Sequence, residues 1–561
     1  MKDGTVAAML AARAADAHVG LLFGDRAWTW AEVVAASAER AAVAAELRRD
    51  GPFHIGVLLE NGPEYVFWLG GAALAGAAVV GINPTRRGAE LARDVAHTDC
   101  QLIVTDTAGW ETLRDLDLDV GDDRVLVVDS DAYAARLAKV AGVPLPEPGP
   151  APEDMLLLIF TSGSTGAPKA VLCTQGRLAR IGENAAMAYG FSRDDICYCS
   201  MPMFHGNAIM AVWAPALSVG ATFATRPKFS ASNFLADARA FNATFFNYVG
   251  KSLAYVLATP EQPDDADNPL QRGFGTEASE RDIAEFERRF ACKIIEGYGM
   301  SEGGTSIRRV PDMPKGALGP APTPAVMVLN PETAEECPRA TFDDSGRLLN
   351  PDQAIGEIVN KEGAVGFEGY YNNPEANAER TRLGWYWTGD LGYRDEQGFF
   401  YFAGRSSDWL RVDSENFAAA PIERILLRHP GVVMAAVYAV PDARAGDQVM
   451  AALELHSGAS FDPDEYAAFL AGQDDLGTKW APRYIRIVDD MPLTGTNKVM
   501  KAPLQRAAWV TTDTVYRRPG RDIVYAAMTD DDRDALAKDF AEHHRTAFLP
   551  ASGALPANNA P

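Results

Sequence analysis

Thr161-Ser162-Gly163-Ser164-Thr165-Gly166-Ala167-Pro168-Lys169 gathers into nine residues the groups that hold a phosphate. Glycines let the backbone turn tightly and aim successive N–H groups at one point, hydroxyls add donors, and a lysine supplies charge. A Walker A loop ends in Gly-Lys-Ser/Thr; here Pro168 precedes the lysine and Ala170 follows it, which excludes that loop. Taken alone, the segment also reads as a Ser/Gly-rich surface loop. Three more segments concentrate reactive side chains: Glu296-Gly297-Tyr298-Gly299-Met300-Ser301-Glu302, Trp387-Thr388-Gly389-Asp390, and Pro492 to Lys501 with Lys498 and Lys501. Each has a plain reading by itself: a Gly-Tyr turn, an acidic β-turn and solvated lysines.

These segments need elements to place them. The apolar run Met155–Phe160 predicts a strand leading straight into the loop, and Lys293–Gly297 predicts another leading into Tyr298. Residues 1–150 alternate helical patterns (Trp30–Arg48, Pro63–Ala75, Arg87–His97) with apolar strands (Ile55–Leu59, Ala77–Ile82, Leu102–Thr105, Arg124–Val128). That alternation continues through Ala221–Ala224, Ala243–Val249 and the helix Glu280–Phe290, the pattern of an α/β layer sandwich with a largely parallel sheet. Beyond Gly319 short strands and Gly/Pro/Asp turns predict a β-rich subdomain to about Phe402, and from about Arg405 an α+β unit follows (helix Pro421–Arg428, strands Val433–Val440 and Val449–Leu455). The expected organisation is a large N-terminal α/β domain over 1–404, a small C-terminal domain over 405–545, and a disordered Ala/Pro/Asn-rich tail over 546–561.

Composition narrows the function classes. A chain of 561 residues with 47% hydrophobic content exceeds one ordinary core and reads as a multidomain globular enzyme. A net charge of −24 argues against general attraction to nucleic acid or anionic lipid, so any polyanionic ligand must be held by local backbone N–H groups and a few placed cations. Six scattered cysteines without a CxxC pair point to reduced thiols, a cytoplasmic location and no structural zinc; Cys197 and Cys199 read as one packed strand face. The uncharged run Val66–Ile82 is rich in Gly and Ala, which contribute little to transfer into lipid, so it predicts a buried helix and strand and no membrane span.

In order, the motifs resemble those of the adenylate-forming superfamily, which contains acyl-CoA synthetases, luciferases and peptide-synthetase adenylation domains; the resemblance runs over roughly residues 20–510. It implies a phosphate loop of Thr161, Ser162, Gly163, Ser164, Thr165, Gly166 and Lys169, with Ala170 where a glycine is common. It further implies Tyr298 against an adenine, flanked by Gly297 and Gly299, with Ser301 at the α-phosphate and Glu302 holding Mg²⁺, roles that suit an aromatic face, a hydroxyl and a hard carboxylate. Asp390 would take the ribose hydroxyls, and Gly275, Thr276 and Glu277 would pack along the adenine and the floor of an acyl pocket that includes His205.

Gly404 to Phe417 resembles the segment joining the two domains: Arg405 matches the arginine that reaches the nucleotide, Ser407 stands where many relatives have Asp or Lys at the pivot, and Ser414, Glu415 and Asn416 would approach CoA. Lys498 matches the lysine of adenylation, with Asn497 where glycine is usual and Lys501 as the competing assignment. Thr161, Glu302 and Lys498 are thus the candidate catalytic residues. The implied function is an ATP-dependent, AMP-forming carboxylic acid:CoA ligase using ATP, Mg²⁺ and coenzyme A, with a mobile C-terminal domain. The run Arg272–Glu302 and the tripeptide Ser414-Glu415-Asn416 are most similar to the fatty-acid-transport, very-long-chain and bile-acid branch, implying a hydrophobic fatty or steroid side-chain acid. Two alternatives are an acyl-AMP ligase that loads a carrier protein and a non-catalytic acyl- or nucleotide-binding protein. The expected partners are small molecules, with the chain acting alone or as a homodimer.

Overall fold

The computed structural model describes residues 2–550 except 162–168, 251, 344–347, 364–365, 406–408, 413–414, 445–446, 474–475, 477–478, 495–497, 521 and 544. For residues 352, 405, 409, 411 and 415–418 it describes the backbone alone. Two sheets carry the N-terminal half. One has eight strands in the order Ile307–Arg308, Lys293–Tyr298, Arg272–Thr276, Phe245–Val249, Ile196–Cys199, Thr222–Thr225, Val19–Phe23, Arg26–Thr29. It is parallel through the middle and antiparallel at both edges. The other has six, in the order Val125–Val127, Cys100–Thr105, His54–Leu58, Ala78–Gly81, Met155–Thr161, Lys169–Thr174, parallel except for the final hairpin. Strands buried on both faces read as continuous apolar runs, which is why Ala78–Gly81 and His54–Leu58 lack alternation.

The helix Pro63–Ala75 lies under this core and shows why its sequence is Gly/Ala-rich. A Cβ on Gly70 would stand 2.3 Å from Ser37 Oγ, and one on Gly71 2.7 Å from Arg40 Cβ, so the neighbouring helix Trp30–Glu46 can approach only over bare backbone. No helix among the described residues is long and apolar enough to cross a membrane.

The β-rich part is a five-stranded antiparallel sheet, Ala317–Pro320, Phe399–Arg405, Tyr386–Arg394, Gly356–Asn360, Val326–Leu329. A ribbon, Trp409–Val412 with Glu415–Ala418, leads to a last sheet of Val432–Pro441, Asp447–Leu455, Tyr484–Val488, Val515–Arg517 and Ala526–Ala527.

Several expected bounds shift: the helix expected at Pro421–Arg428 is Ala419–Leu426, the strand expected at Ala221–Ala224 is Thr222–Thr225, and others move by a residue or two. Arg124 does not open a strand; it sits in a 3-10 turn because its guanidinium donates to Gln101 O, at 2.5 Å, and to Leu47 O. Ala243 precedes its strand, which begins at Phe245, because Asn242 ends the preceding helix with φ +55° and the Ala243 N–H caps Ala238 O. The tail expected from 546 does not begin there: Thr546–Phe548 form a 3-10 turn, Arg545 Nε donates to Asp442 O at 3.0 Å, and Leu549 packs on the last sheet's core. Residues 551–561 lie outside the described residues.

Candidate active site

One continuous cleft of ≈ 4060 Å³ runs between the two N-terminal sheets, the β-rich sheet and the C-terminal unit. Thr161 and Lys169 line it at the base of an antiparallel hairpin, where they pair with one another. A Walker A loop would open a helix at this point; here the chain returns as a strand. Ser162, Gly163, Ser164, Thr165 and Gly166 lie outside the described residues. Lys169 Nζ stands 5.8 Å from the Tyr370 ring centroid and 4.0 Å from Glu379, so this cation is kept at the cleft wall.

The turn after Tyr298 is gripped from several sides. Arg177, 4% exposed, donates to Ser301 O at 2.6 Å and to Leu172 O at 2.7 Å, tying the turn to the strand Lys169–Thr174. Gly303 and Gly304 have φ of +80° and +81°, and a Cβ on Gly304 would fall 2.2 Å from the Tyr386 ring. Glu302 is 7% exposed; its Oε1 accepts from Tyr370 Oη at 3.1 Å, and Arg380 Nε donates to that same hydroxyl at 3.1 Å. Glu302 Oε2 accepts no hydrogen bond from a described residue, so a hard oxygen faces the cleft. That suits Mg²⁺, which takes one or two protein carboxylates and completes its shell with phosphate oxygens and water. Gly206 has no side chain because Ser301 is against it: a Cβ there would stand 2.6 Å from Ser301 Oγ. The acyl-pocket candidate His205 is thereby brought beside the α-phosphate candidate.

Tyr298 Oη donates to Asp390 Oδ2 at 2.8 Å, joining the adenine and ribose candidates directly. Burial, followed by the Asp390 charge, holds the Tyr298 hydroxyl well above its ordinary range, so it is a donor at neutral pH. Gly389, with φ +70°, turns the chain so that its N–H reaches Glu357 Oε1 at 2.6 Å, while Asp390 N–H donates to Thr388 Oγ1 at 3.1 Å. Asp390 pairs across the sheet with Arg405, the last residue of its strand. Gly297 and Gly299 meet nothing closer than 3.7 Å and 4.0 Å; the room they leave belongs to the cleft. Ser407 and Ser414 lie outside the described residues, and Glu415 and Asn416 stand opposite Val412 and Arg411 in the ribbon.

Lys498 closes the cleft from the C-terminal unit. Its N–H donates to Thr494 Oγ1 at 3.1 Å and its carbonyl accepts from Thr494 N–H at 2.7 Å, beside an antiparallel bridge of Leu493 with Val499; residues 495–497 lie outside the described residues. Its Nζ reaches Glu277 Oε1 at 2.7 Å across 221 residues of sequence. Glu277 holds φ +71°, an uncommon conformation for a glutamate that aims its carboxylate into the cleft. Lys501 opens the helix Lys501–Ala507 and pairs with Glu423 at 2.9 Å within its own unit.

The cleft is also lined by one face of the helix Gln175–Tyr189, which presents Ile181, Ala185, Ala188 and Tyr189 along with the polar Arg180 and Asn184, and by Met210 and Phe274. Tyr189 and Phe274 stack at 4.2 Å between centroids. Burial, with help from the Lys498 charge, pushes the His205 ring down to about 4, so it lines the cleft as a neutral group. The folded chain then binds fewer protons than the unfolded chain between about pH 4 and 6.5, so stability is full above that window and is lost as pH falls through it. Replacing His205 with phenylalanine removes this acid-limb loss, a gain of about 1–3 kcal/mol at pH 5 relative to pH 7. Denaturant unfolding at the two pH values measures it; an unchanged pH slope would contradict the neutral assignment.

Sequence reasoning did not find Arg177, Tyr370, Arg380 or Glu357. Their roles are to hold other groups by hydrogen bonds between distant segments, and no local spacing announces that.

The AMP-binding enzyme family matches over residues 9–371, and the AMP-binding enzyme C-terminal domain over 421–498. The chain is 57% identical over 547 residues to a steroid-22-oyl-CoA synthetase of Rhodococcus jostii (strain RHA1), covering 97% of this chain and 99% of that protein. It is 44% identical over 501 residues to the medium/long-chain-fatty-acid–CoA ligase FadD17 of Mycobacterium tuberculosis (strain ATCC 25618 / H37Rv), covering 89% and 95%. Among solved structures, ATP-bound MatB from Rhodopseudomonas palustris superposes with TM-score 0.76 at 24% identity over 90% of this chain and 99% of that one, which speaks to the fold. With a family match over most of its residues and relatives aligned along nearly its whole length, the chain belongs to the AMP-binding, adenylate-forming enzymes.

Proposed function

We propose that the chain is an ATP-dependent, AMP-forming ligase that joins a hydrophobic carboxylic acid, a medium- to very-long-chain fatty or steroid side-chain acid, to coenzyme A. The observation that carries this reading is the meeting, in one cleft, of the nucleotide candidates Tyr298, Ser301, Glu302 and Asp390, the apolar residues Ile181, Ala185, Tyr189, Met210 and Phe274, and Lys498. The similarity to a steroid-22-oyl-CoA synthetase and to a medium/long-chain-fatty-acid–CoA ligase supports the hydrophobic acid.

In this reading the acid enters along the helix Gln175–Tyr189 with its carboxylate between His205 and Ser301. A carboxylate oxygen attacks the α-phosphorus in line, the bond to pyrophosphate breaks, and the phosphate loop and Lys498 offset the growing negative charge. Glu302 holds Mg²⁺, which when bound neutralises phosphate charge. The unit from Arg405 to 545 then rotates about Ser407, withdraws Lys498, and brings Ser414, Glu415 and Asn416 towards the CoA thiol. The thiol attacks the acyl carbonyl carbon, its proton passes to solvent, and AMP leaves. No protein nucleophile takes part: burial pushes the Cys173, Cys199 and Cys292 thiols up to about 12, too high to supply thiolate. All six buried thiols suit a reducing cytoplasm.

The test is mass spectrometry of products after mixing the enzyme with ATP, Mg²⁺, CoA and a pool of acids from short-chain to very-long-chain and steroidal. The expected result is acyl-CoA and AMP from the hydrophobic members. Acyl-AMP accumulating without thioester would instead favour loading of a carrier protein, and no turnover of any acid would overturn the enzyme reading.

A further inference from the structure

Tyr248, Gly275 and Glu296 stand in register on three adjacent parallel strands: Tyr248 pairs with Gly275, and Gly275 with Glu296. The middle position is bare for a reason. A Cβ on Gly275 would lie 2.5 Å from the Tyr248 ring, so the ring, 1% exposed, crosses over the glycine and its hydroxyl donates to Glu296 Oε1 at 2.8 Å. The same oxygen accepts the Ala278 N–H at 2.9 Å. Ala278 directly follows Glu277, whose left-handed backbone sends its carboxylate to Lys498 at 2.7 Å.

We propose that Tyr248 and Glu296 are positioning residues for adenylation: together they clamp the Ala278 N–H, fix the left-handed turn at Glu277, and so set where Lys498 docks over the cleft. The inference rests on Lys498 being the adenylation lysine. A glutamate with φ of +71° needs its neighbours to hold it. The clamp supplies that hold from two strands of the eight-stranded sheet, both paired to the strand that carries Gly275. Burial pushes the Glu296 carboxyl up to about 7, so the two donated hydrogen bonds stand in for water around it. Gly275 thus serves the site by letting the Tyr248 ring pass.

The experiment measures the two half-reactions separately, adenylate formation and thioester formation at saturating acyl-AMP, in Tyr248→Phe, Glu296→Gln and Glu296→Leu, alone and with Lys498→Ala. Tyr248→Phe removes one hydroxyl and keeps the ring; it should lower the adenylation kcat about 5–20-fold and the thioester kcat less than about twofold. Glu296→Leu should be worse than Tyr248→Phe, whereas Glu296→Gln, which keeps an acceptor oxygen, should recover adenylation to within about threefold of the parent. In the Lys498→Ala background Tyr248→Phe should add less than about twofold, because the effect passes through the lysine. A merely structural pair would depress both half-reactions together and would act additively with Lys498→Ala, and either result overturns the proposal. If Lys498→Ala alone fails to separate the half-reactions, the lysine assignment is what has failed.

Discussion

Replacing Lys498 with alanine should lower adenylate formation about 10²–10³-fold and leave thioester formation from supplied acyl-AMP within about twofold of the parent. The asymmetry follows from where the lysine sits. It is on the C-terminal unit and touches the N-terminal body through Glu277, an ion pair whose side chains are 29% and 46% exposed. A pair so open to water contributes little to stability, on the order of 0–1 kcal/mol, so the variant should unfold at the parent's denaturant midpoint. What is lost is a cation free to exchange one anionic partner for another: the Glu277 carboxylate at rest, the phosphoryl charge during attack. Lys501 cannot make that exchange without leaving Glu423, 2.9 Å away in its own unit, and Lys501→Ala should change adenylation less than about tenfold. Quenched-flow measurement of acyl-AMP decides between the two lysines; equal losses in both half-reactions for Lys498→Ala would remove it from the mechanism.

How far the sequence could be read depended on the range of the interaction. Two helices, Pro63–Ala75 and Glu280–Phe290, have the bounds their sequence predicts, because Gly76 in a left-handed cap and Ser279 as an N-cap are readable signs, whereas the helix expected at Pro421–Arg428 lies two residues earlier, at Ala419–Leu426. Tyr298, Glu302, Asp390 and Lys498 were legible as a set only through the resemblance of their ordered motifs to those of the adenylate-forming enzymes, and all four line the cleft. What holds them was not legible. The Tyr298–Asp390 hydrogen bond spans 92 residues and the Tyr370–Glu302 bond 68, and neither tyrosine announces its partner. Gly275 was read as a nucleotide contact, while its closest neighbour is the Tyr248 ring on the next strand, a relation that appears only once the register of the sheet is known.

Arg177→Met should do what Lys498→Ala does not: lower both half-reactions by a similar factor, about 10–100-fold, and destabilise the protein by about 2–5 kcal/mol. Arg177 is 4% exposed in the first turn of the helix Gln175–Tyr189, and its two terminal nitrogens reach different segments, Leu172 O at 2.7 Å and Ser301 O at 2.6 Å. Methionine fills a similar volume but leaves both part-buried carbonyls without those donors, at a cost of about 1–3 kcal/mol each. Ser301 and Glu302 then lose the tie that fixes them against the strand Lys169–Thr174. The turn keeps its other supports, Tyr386 Oη on Met300 Sδ at 3.1 Å and Asn360 Nδ2 on Gly304 O at 2.8 Å, so it shifts rather than unfolds. In the proposed cycle the nucleotide occupies that turn before and after the domain rotation, so the loss should fall on adenylation and thioester formation alike. Arg177→Lys is the sharper probe: one ammonium cannot reproduce a planar fork that serves two carbonyls in different directions, so it should recover stability in part and activity less. Denaturant unfolding alongside the two half-reaction rates measures all of this. A loss confined to adenylation would place Arg177 beside Lys498 in the chemistry and not in the support of Ser301 and Glu302.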